Sequence, residues 1–530
     1  MSSGAASTSK PGTDYVYPTG SELPRTPLTE RFKSGEELMR QTLLSLAMLV
    51  AVSISLQARE QPSIKRLDGS TITSAEVDET VSRLMKAADV TGVGIAIFND
   101  GKVAYLNAYG FRDKDQNLPL TVDSVMSAAS FSKVGFAYLV MQLVDEGVLD
   151  LDKPIWQYLP KPLPEYPNYT DLANDARYKR ITARMLLSHT SGFANWRAFE
   201  DDHKLKIHFE PGSRFAYSGE GIDLLQLVVE TITKKPVEEL MQEHVFRRLG
   251  MVRSSMVWQD GFNSDYANGY DEYGRSLGPQ RRTTADAAGS MQTTVADFAR
   301  FMAGVIEAKL LRGKAQEQML SPQIQITSKH EFPTLSDQTT DEDKAIRLSY
   351  GLGWGLYWTP YGEAFFKEGH DVGWRNYTVC FKPQKTGIVI MTNSGNGEGI
   401  FKDLLETLLK DAYTPIEWEG YTPYDKLPPR PPLKQHKQVA VDPTVLQRYV
   451  GRYRIPPDIA PNIILTVRWE GNRLSVQEND EPKQDLLPES ATQFFTGADD
   501  VYTFETDTQG RVIQVVLHAD GRDIPAKLIE

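Results

Sequence analysis

A serine and a lysine stand three positions apart at Ser130 and Lys133, within SAASFSKVGFAYLVMQLVDEG. A serine hydroxyl is a weak nucleophile at neutral pH and must pass its proton to a nearby base as it attacks. On a helix this spacing puts both side chains on one face a turn apart, within hydrogen-bonding reach. Lysine serves as that base only where burial or neighbouring positive potential lowers its pKa, and a helix N-terminus supplies such potential. Backbone N–H groups at the same helix end can face a developing oxyanion. Taken alone, the pair is also what a polar helix entry followed by its buried stripe looks like.

Further segments follow in a fixed order: LLSHTSGF at 186–193, EPGSRFAYSGEGIDLL at 210–225, then VFRRLGM, DAAGSMQTTVADFARFM and KEGHDVGW. Together with the Ser130–Lys133 pair they resemble the serine β-lactamase and penicillin-binding-protein superfamily. The likeness is to its class C-like branch of esterases, D-amino-acid peptidases and D-alanyl-D-alanine carboxypeptidases, and it covers about residues 70–415.

The resemblance implies that Ser130 is the acylated nucleophile and Lys133 its proton acceptor. Tyr217, in YSG, matches a tyrosine that shares the proton relay and helps activate the deacylating water; a phenol titrates near pH 10, so it needs Lys133 beside it. His370, in GHDVG, is expected at the KTG or HxG strand position lining the cleft, and the Gly373 N–H is expected to join that of Ser130 in an oxyanion hole. Gly219, Val372 and Trp374 are the expected substrate contacts. Two departures stand out. The tyrosine motif commonly ends in asparagine, whereas Gly219 offers only backbone, and Val372 stands where the HxG triplet has glycine. His189 is expected to support its loop.

Two other segments mimic catalytic motifs. GRSLG, Gly274–Gly278, fits GxSxG, yet it lies in polar sequence without the strand and apolar helix that would make Ser276 a nucleophile elbow. Lys385–Gly387 spells KTG but reads as the turn into a strand. The single cysteine, Cys380, sits in the strand-like YTVCF and reads as a buried, inert thiol. The eight histidines show no close ligand spacing, so no metal or other cofactor is expected. With a net charge of -12 and interspersed signs, no basic stripe marks a nucleic-acid partner.

The elements that must position these residues follow from periodicity. Thr73 and Glu76 hold capping-box positions ahead of Val77, Val81 and Leu84 on one helix face. Two strands then meet at Asn99-Asp100-Gly101. Residues 120–320 read as helix and loop, strands return at 364–394, and a last helix carries Leu404, Leu405, Leu408 and Leu409. The expected fold is therefore α+β: an antiparallel sheet flanked by helices with a helical insertion, as the family likeness implies, plus a small all-β C-terminal domain.

Residues 1–38 read as disordered, 39–58 as a signal-peptide-like segment, 59–422 as the catalytic domain, 423–442 as a Pro-rich linker and 443–530 as the β domain. That tail resembles a lipocalin-like accessory domain whose aromatic residues Tyr449, Tyr453, Phe494 and Phe495 form its own core. The expectation is a secreted or periplasmic serine hydrolase with no membrane span after leader cleavage, acting on a small ester or amide and a candidate homo-oligomer. Short-chain esters are favoured, since Gly219 removes a likely amide contact. A D-amino-acid peptidase, a carboxypeptidase or a weak β-lactamase is the near alternative, and a non-catalytic ligand- or β-lactam-binding sensor the distant one.

Overall fold

The computed structural model describes residues 63–529 apart from 201, 431–435, 457–462, 480–482, 497–499 and 520–521. The signal-peptide-like segment and everything before it lie outside the described residues. No described helix is long and apolar enough to cross a membrane.

Helix α1 (Ser74–Ala88) begins where Thr73 and Glu76 cap it reciprocally: Thr73 Oγ1 accepts from the Glu76 N–H at 3.2 Å and Glu76 Oε2 from the Thr73 N–H at 2.8 Å. Strands β1 (Gly92–Asn99) and β2 (Lys102–Asp113) follow as a hairpin whose turn residues, Asp100 and Gly101, take φ of 53° and 78°. Both values are positive, as the turn that matches strand twist requires. After a short β3 (Leu118–Pro119), the chain leaves the sheet.

It returns as β4 (Ile324–Gln325), β5 (Ser349–Tyr350), β6 (Gly355–Thr359), β7 (Gly362–Asp371), β8 (Trp374–Phe381) and β9 (Thr386–Thr392). The nine strands run in the order β4-β5-β6-β7-β8-β9-β1-β2-β3, antiparallel, so the last strand pairs with the first. Alternate residues of β1 divide between two cores. Ala96 and Phe98 pack with the nucleophile-bearing helix and its neighbours, while Val93, Ile95 and Ile97 pack with α1 and residues 401–409.

Helix α2 (Phe131–Asp145) is buried on every side from Phe131 to Leu143, as a helix at the centre of a domain must be. Helix α3 (Gly219–Thr233) and helix α4 (Val295–Ile306) pack around it. Gly94 lets α4 lie close on the sheet, because a Cβ there would fall 2.9 Å from the Val295 Cβ.

The C-terminal part closes into a barrel of eight strands: β10 (Gly451–Arg454), β11 (Ile464–Glu470), β12 (Arg473–Glu478), β13 (Gln484–Pro488), β14 (Gln493–Phe495), β15 (Val501–Thr506), β16 (Val512–Ala519) and β17 (Arg522–Leu528). Tyr449, Tyr453, Phe494 and Phe504 fill its interior, consistent with the bore of an eight-stranded barrel. Phe495 differs from expectation. Neighbouring strand residues point to opposite faces, so with Phe494 inside, Phe495 stacks outside on His436 with ring centroids 4.5 Å apart. Phe494→Ala should therefore destabilise the barrel by about 3–5 kcal/mol and Phe495→Ala by about 1 kcal/mol or less. Urea unfolding followed by the fluorescence of Trp469 measures both, and equal losses would refute this inside–outside assignment.

Candidate active site

The chain enters α2 from a short strand, Met126–Ser127, through Ala129, whose φ of 49° is unusual for a residue with a side chain. That reversal sets Ser130 at the N-cap of α2. One turn later Lys133, 1% exposed, places Nζ 3.0 Å from Ser130 Oγ and donates to the Ala288 carbonyl at 2.6 Å. Burial, and then the nearby Lys367 ammonium, pull its pKa down to about 8, against the opposing pull of Asp286, Asp223 and Glu368.

Tyr217 precedes the Ser218 N-cap of α3, where Ser218 Oγ accepts from the Gly221 N–H at 3.0 Å. The Tyr217 hydroxyl hydrogen-bonds Ser130, and Lys133 Nζ lies 5.0 Å from the centre of its ring. Burial, and next the charge of Glu368, hold its pKa well above 10, so it is a neutral phenol at neutral pH. His189 braces it from behind: the rings lie 4.4 Å apart and His189 Nδ1 accepts from the Ser218 N–H at 3.2 Å. Burial and the two lysines keep this imidazole neutral, its pKa well below 6.5.

The strand position facing Tyr217 is occupied by Lys367 rather than His370. Lys367 is fully buried, donates to the Tyr217 hydroxyl at 3.2 Å and is ion-paired with Glu368. His370, three residues on, is exposed and points to the opposite face of β7. Its backbone is another matter. Two-residue turns at Pro360-Tyr361 and Val372-Gly373 make Thr359/Gly362 and Asp371/Trp374 the hydrogen-bonded pairs. Alternation then directs odd-numbered residues of β7 toward β8, as the bond from Lys382 N–H to the Glu363 carbonyl at 2.9 Å shows. Even-numbered residues face β6, whose pairing ends at Phe366, so the N–H groups of Glu368 and His370 face an open edge.

That edge runs beside the nucleophile turn. A Cβ on Gly369 would come within 2.9 Å of the Ala128 carbonyl, and Asn376 Nδ2 donates to the Ser127 carbonyl at 3.0 Å. Gly373 instead packs at the hairpin tip, where an added Cβ would meet Leu277 Cδ1 at 2.9 Å and Tyr270 N at 3.0 Å. Val372 projects from the same tip, 74% exposed, and Trp374 is buried against Gly269. Gly219 lies under the indole of Trp196. Ser276 is exposed on a short ribbon strand, Ser276–Gly278, and Lys385 sits in the turn before β9 with φ of 48°. Burial pushes the Cys380 thiol pKa up, leaving it inert.

Sequence reasoning missed Lys367, Trp196 and a carboxyl pair, Asp223 and Asp286. Asp223 Oδ1 is out of solvent, and burial followed by Asp286 raises its pKa well above the usual carboxylate range, so it is protonated and hydrogen-bonded to Asp286. Asp286 Oδ1 in turn accepts from the Ala288 N–H at 2.6 Å, and the Ala288 carbonyl holds Lys133. On the far side of Tyr217, Glu331 is 2% exposed and lacks a hydrogen-bond partner at either oxygen. Burial and the charge of Glu368 raise its pKa well above the usual range and keep it neutral.

A serine at a buried helix start, a lysine of lowered pKa and a tyrosine between two lysines, set at the edge of an antiparallel sheet, define a serine acyl-transfer hydrolase. The beta-lactamase family profile matches residues 77–411, and the chain belongs to that family. Residues 435–527 match a domain of unknown function (DUF3471). The chain is 23% identical over 465 residues to penicillin-binding protein 4* of Bacillus subtilis, covering 80% of this chain and 92% of that protein. It is 27% identical over 216 residues to esterase EstB of Burkholderia gladioli, covering 36% of this chain and 53% of that one. The fold is shared with the octameric penicillin-binding protein homologue from Pyrococcus abyssi at a TM-score of 0.53 and 20% identity, over 86% of this chain and 100% of that one.

Two measurements check this geometry. With a base that titrates at about 8, kcat/KM should rise about tenfold per pH unit below pH 8 and level off above it, since only neutral lysine accepts a proton. Lys133→Arg, which stays charged, should be as inactive as Lys133→Ala, and a flat profile would exclude Lys133 as the base. Lys367→Ala should lower kcat/KM by about 100-fold or more. His370→Ala, which keeps the backbone N–H, should stay within about threefold of the parent, because no reacting atom depends on its side chain; equal losses would restore the imidazole to the site.

Proposed function

We propose that this serine hydrolase acts on short-chain carboxylic esters through an acyl-enzyme at Ser130. The observation that carries the reading is the 3.0 Å contact between Ser130 Oγ and a lysine whose pKa lies near working pH. Neutral Lys133 takes the hydroxyl proton as Oγ attacks the ester carbonyl, and the N–H groups of Ser130 and His370 receive the oxyanion. As the tetrahedral adduct collapses, the proton passes from Lys133, by way of the Tyr217 hydroxyl, to the departing alkoxide. Water then attacks the acyl carbonyl and gives a proton to Lys133, which returns it to Ser130 Oγ as the Oγ–acyl bond breaks and the carboxylic acid leaves. Tyr217 acts as a relay between hydrogen-bond partners and not as a standing phenolate, because Glu368 and burial disfavour its ionised form.

One observation favours peptides as a second substrate class. The outward N–H and C=O groups of Glu368 and His370 offer an extended peptide a strand edge to pair with. Esters remain the first reading because the Tyr217 motif ends in Gly219, which has no side-chain amide to bind a substrate amide.

Hydrolysis of p-nitrophenyl butyrate by the parent protein should fall by about 1,000-fold or more in Ser130→Ala. Nitrocefin turnover, run in parallel, should be much slower than ester turnover. Equal ester rates in parent and variant would remove Ser130 from the reaction, and faster nitrocefin turnover would make the β-lactamase reading the better one.

A further inference from the structure

The start of α3 is sealed by a side chain from another loop. A Cβ placed on Gly219 would lie 2.2 Å from Trp196 Cη2 and 2.5 Å from Cζ2, so the indole occupies the space a side chain at 219 would need. The ring is fixed in place. Asn195 accepts from the N–H groups of Gly219 and Glu220 through its carbonyl, both at 3.1 Å, and its Oδ1 accepts from the Gly219 N–H at 3.0 Å. On the other side, Arg197 grips the buried Glu220 carboxylate with its guanidinium, Nε donating at 2.8 Å, and with its backbone N–H at 2.9 Å. Trp196 is thus held between two anchors, both tied to the first residues of α3.

The same ring borders the reacting groups, its centre 5.8 Å from Lys133 Nζ. Tyr217, its hydroxyl accepting from Lys367, is the group that hands the proton to the departing alkoxide, so the leaving group belongs on the Tyr217 side. The acyl group is left the side on which Trp196 and Gly219 meet. There an indole face offers apolar contact and a single donor, with no acceptor and no flexible amide.

We propose that Trp196, seated on Gly219, is the specificity-determining wall of the acyl pocket and, among short-chain esters, selects butanoyl and hexanoyl over acetyl esters. This rests on the acyl-enzyme reading above and names the acyl class for the same site. Gly219 is then half of a matched pair: its missing Cβ makes room for the indole, and the indole supplies the contact surface.

The test compares kcat/KM on p-nitrophenyl hexanoate and p-nitrophenyl acetate for the parent, Trp196→Ala, Gly219→Ala and the double variant. Acetate turnover reports whether the Ser130 machinery works, and the hexanoate-to-acetate ratio reports the wall. The parent should prefer hexanoate, and Trp196→Ala should reduce that preference about tenfold or more while acetate turnover continues. Gly219→Ala should cause a similar loss by displacing the indole, and the double variant should lose no more than either single change, since both remove one contact. An unchanged ratio in an active Trp196→Ala protein would overturn the proposal while leaving the hydrolase reading intact. Additive losses in the double variant would overturn the pairing of 196 with 219. If Trp196→Ala proved unstable, Trp196→Leu would supply the ratio, expected between those of the parent and Gly219→Ala, and a parent-like value would count against the proposal. Absence of turnover of both esters in the parent itself would overturn the acyl-enzyme reading and this proposal with it.

Discussion

Two buried lysines share one tyrosine, and the rest of the site is arranged around the repulsion between them. Lys133 and Lys367 place their ammonium groups 5.0 and 4.6 Å from the Tyr217 ring centre, in a region closed to water. Burial first, and the like charge of Lys367 second, make Lys133 easy to deprotonate. Lys367 has Glu368 as a fixed counter-ion, whereas Lys133 has a carbonyl, a serine hydroxyl and more distant carboxyls. The asymmetry decides which lysine is free to act as a base.

The acids around this centre are distributed with equal economy of charge. Asp223 and Glu331 are driven toward their neutral forms by burial and by neighbouring carboxyls, which limits how far Asp223 opposes the lowering of the Lys133 pKa. Their part is geometric. Through Asp286 and Ala288, the Asp223 pair reaches the carbonyl on which the Lys133 ammonium rests, and Phe332, next to Glu331, packs edge-on to Tyr217 with centroids 5.7 Å apart. A charged network of the same size would carry a large desolvation penalty, which protonation avoids.

Much of this organisation was legible in the sequence because it is local. The capping box at Thr73, the Asp100-Gly101 turn, the pairing of Ser130 with Lys133 and the motif at Tyr217 each depend on residues within one or two turns of chain. The failures concern phase. In KEGH, Lys367 and His370 are three apart on a strand and therefore lie on opposite faces; which one enters the cleft is set by the turns at 360–361 and 372–373 and by pairing with β6, not by the tetrapeptide. Phe494 and Phe495 pose the same choice in the barrel. Trp196 was hidden for another reason, since its contact with Gly219 spans a loop and is fixed by Arg197 and Glu220, whose meeting no periodicity announces.

The pairing of β9 with β1 has a consequence for how the protein comes into being. Ser130 and Lys133 are made early, yet the strand carrying Lys367 is made more than two hundred residues later, and the sheet closes only when residues 387–392 pair with 93–98. During synthesis the helix that carries the nucleophile precedes α3, α4 and β7, which complete its burial. Contacts of such long sequence separation form slowly, because a long loop must be closed before they repay its entropy. The chain thus remains catalytically silent until the strand that brings Lys367 to Tyr217 has been made and paired.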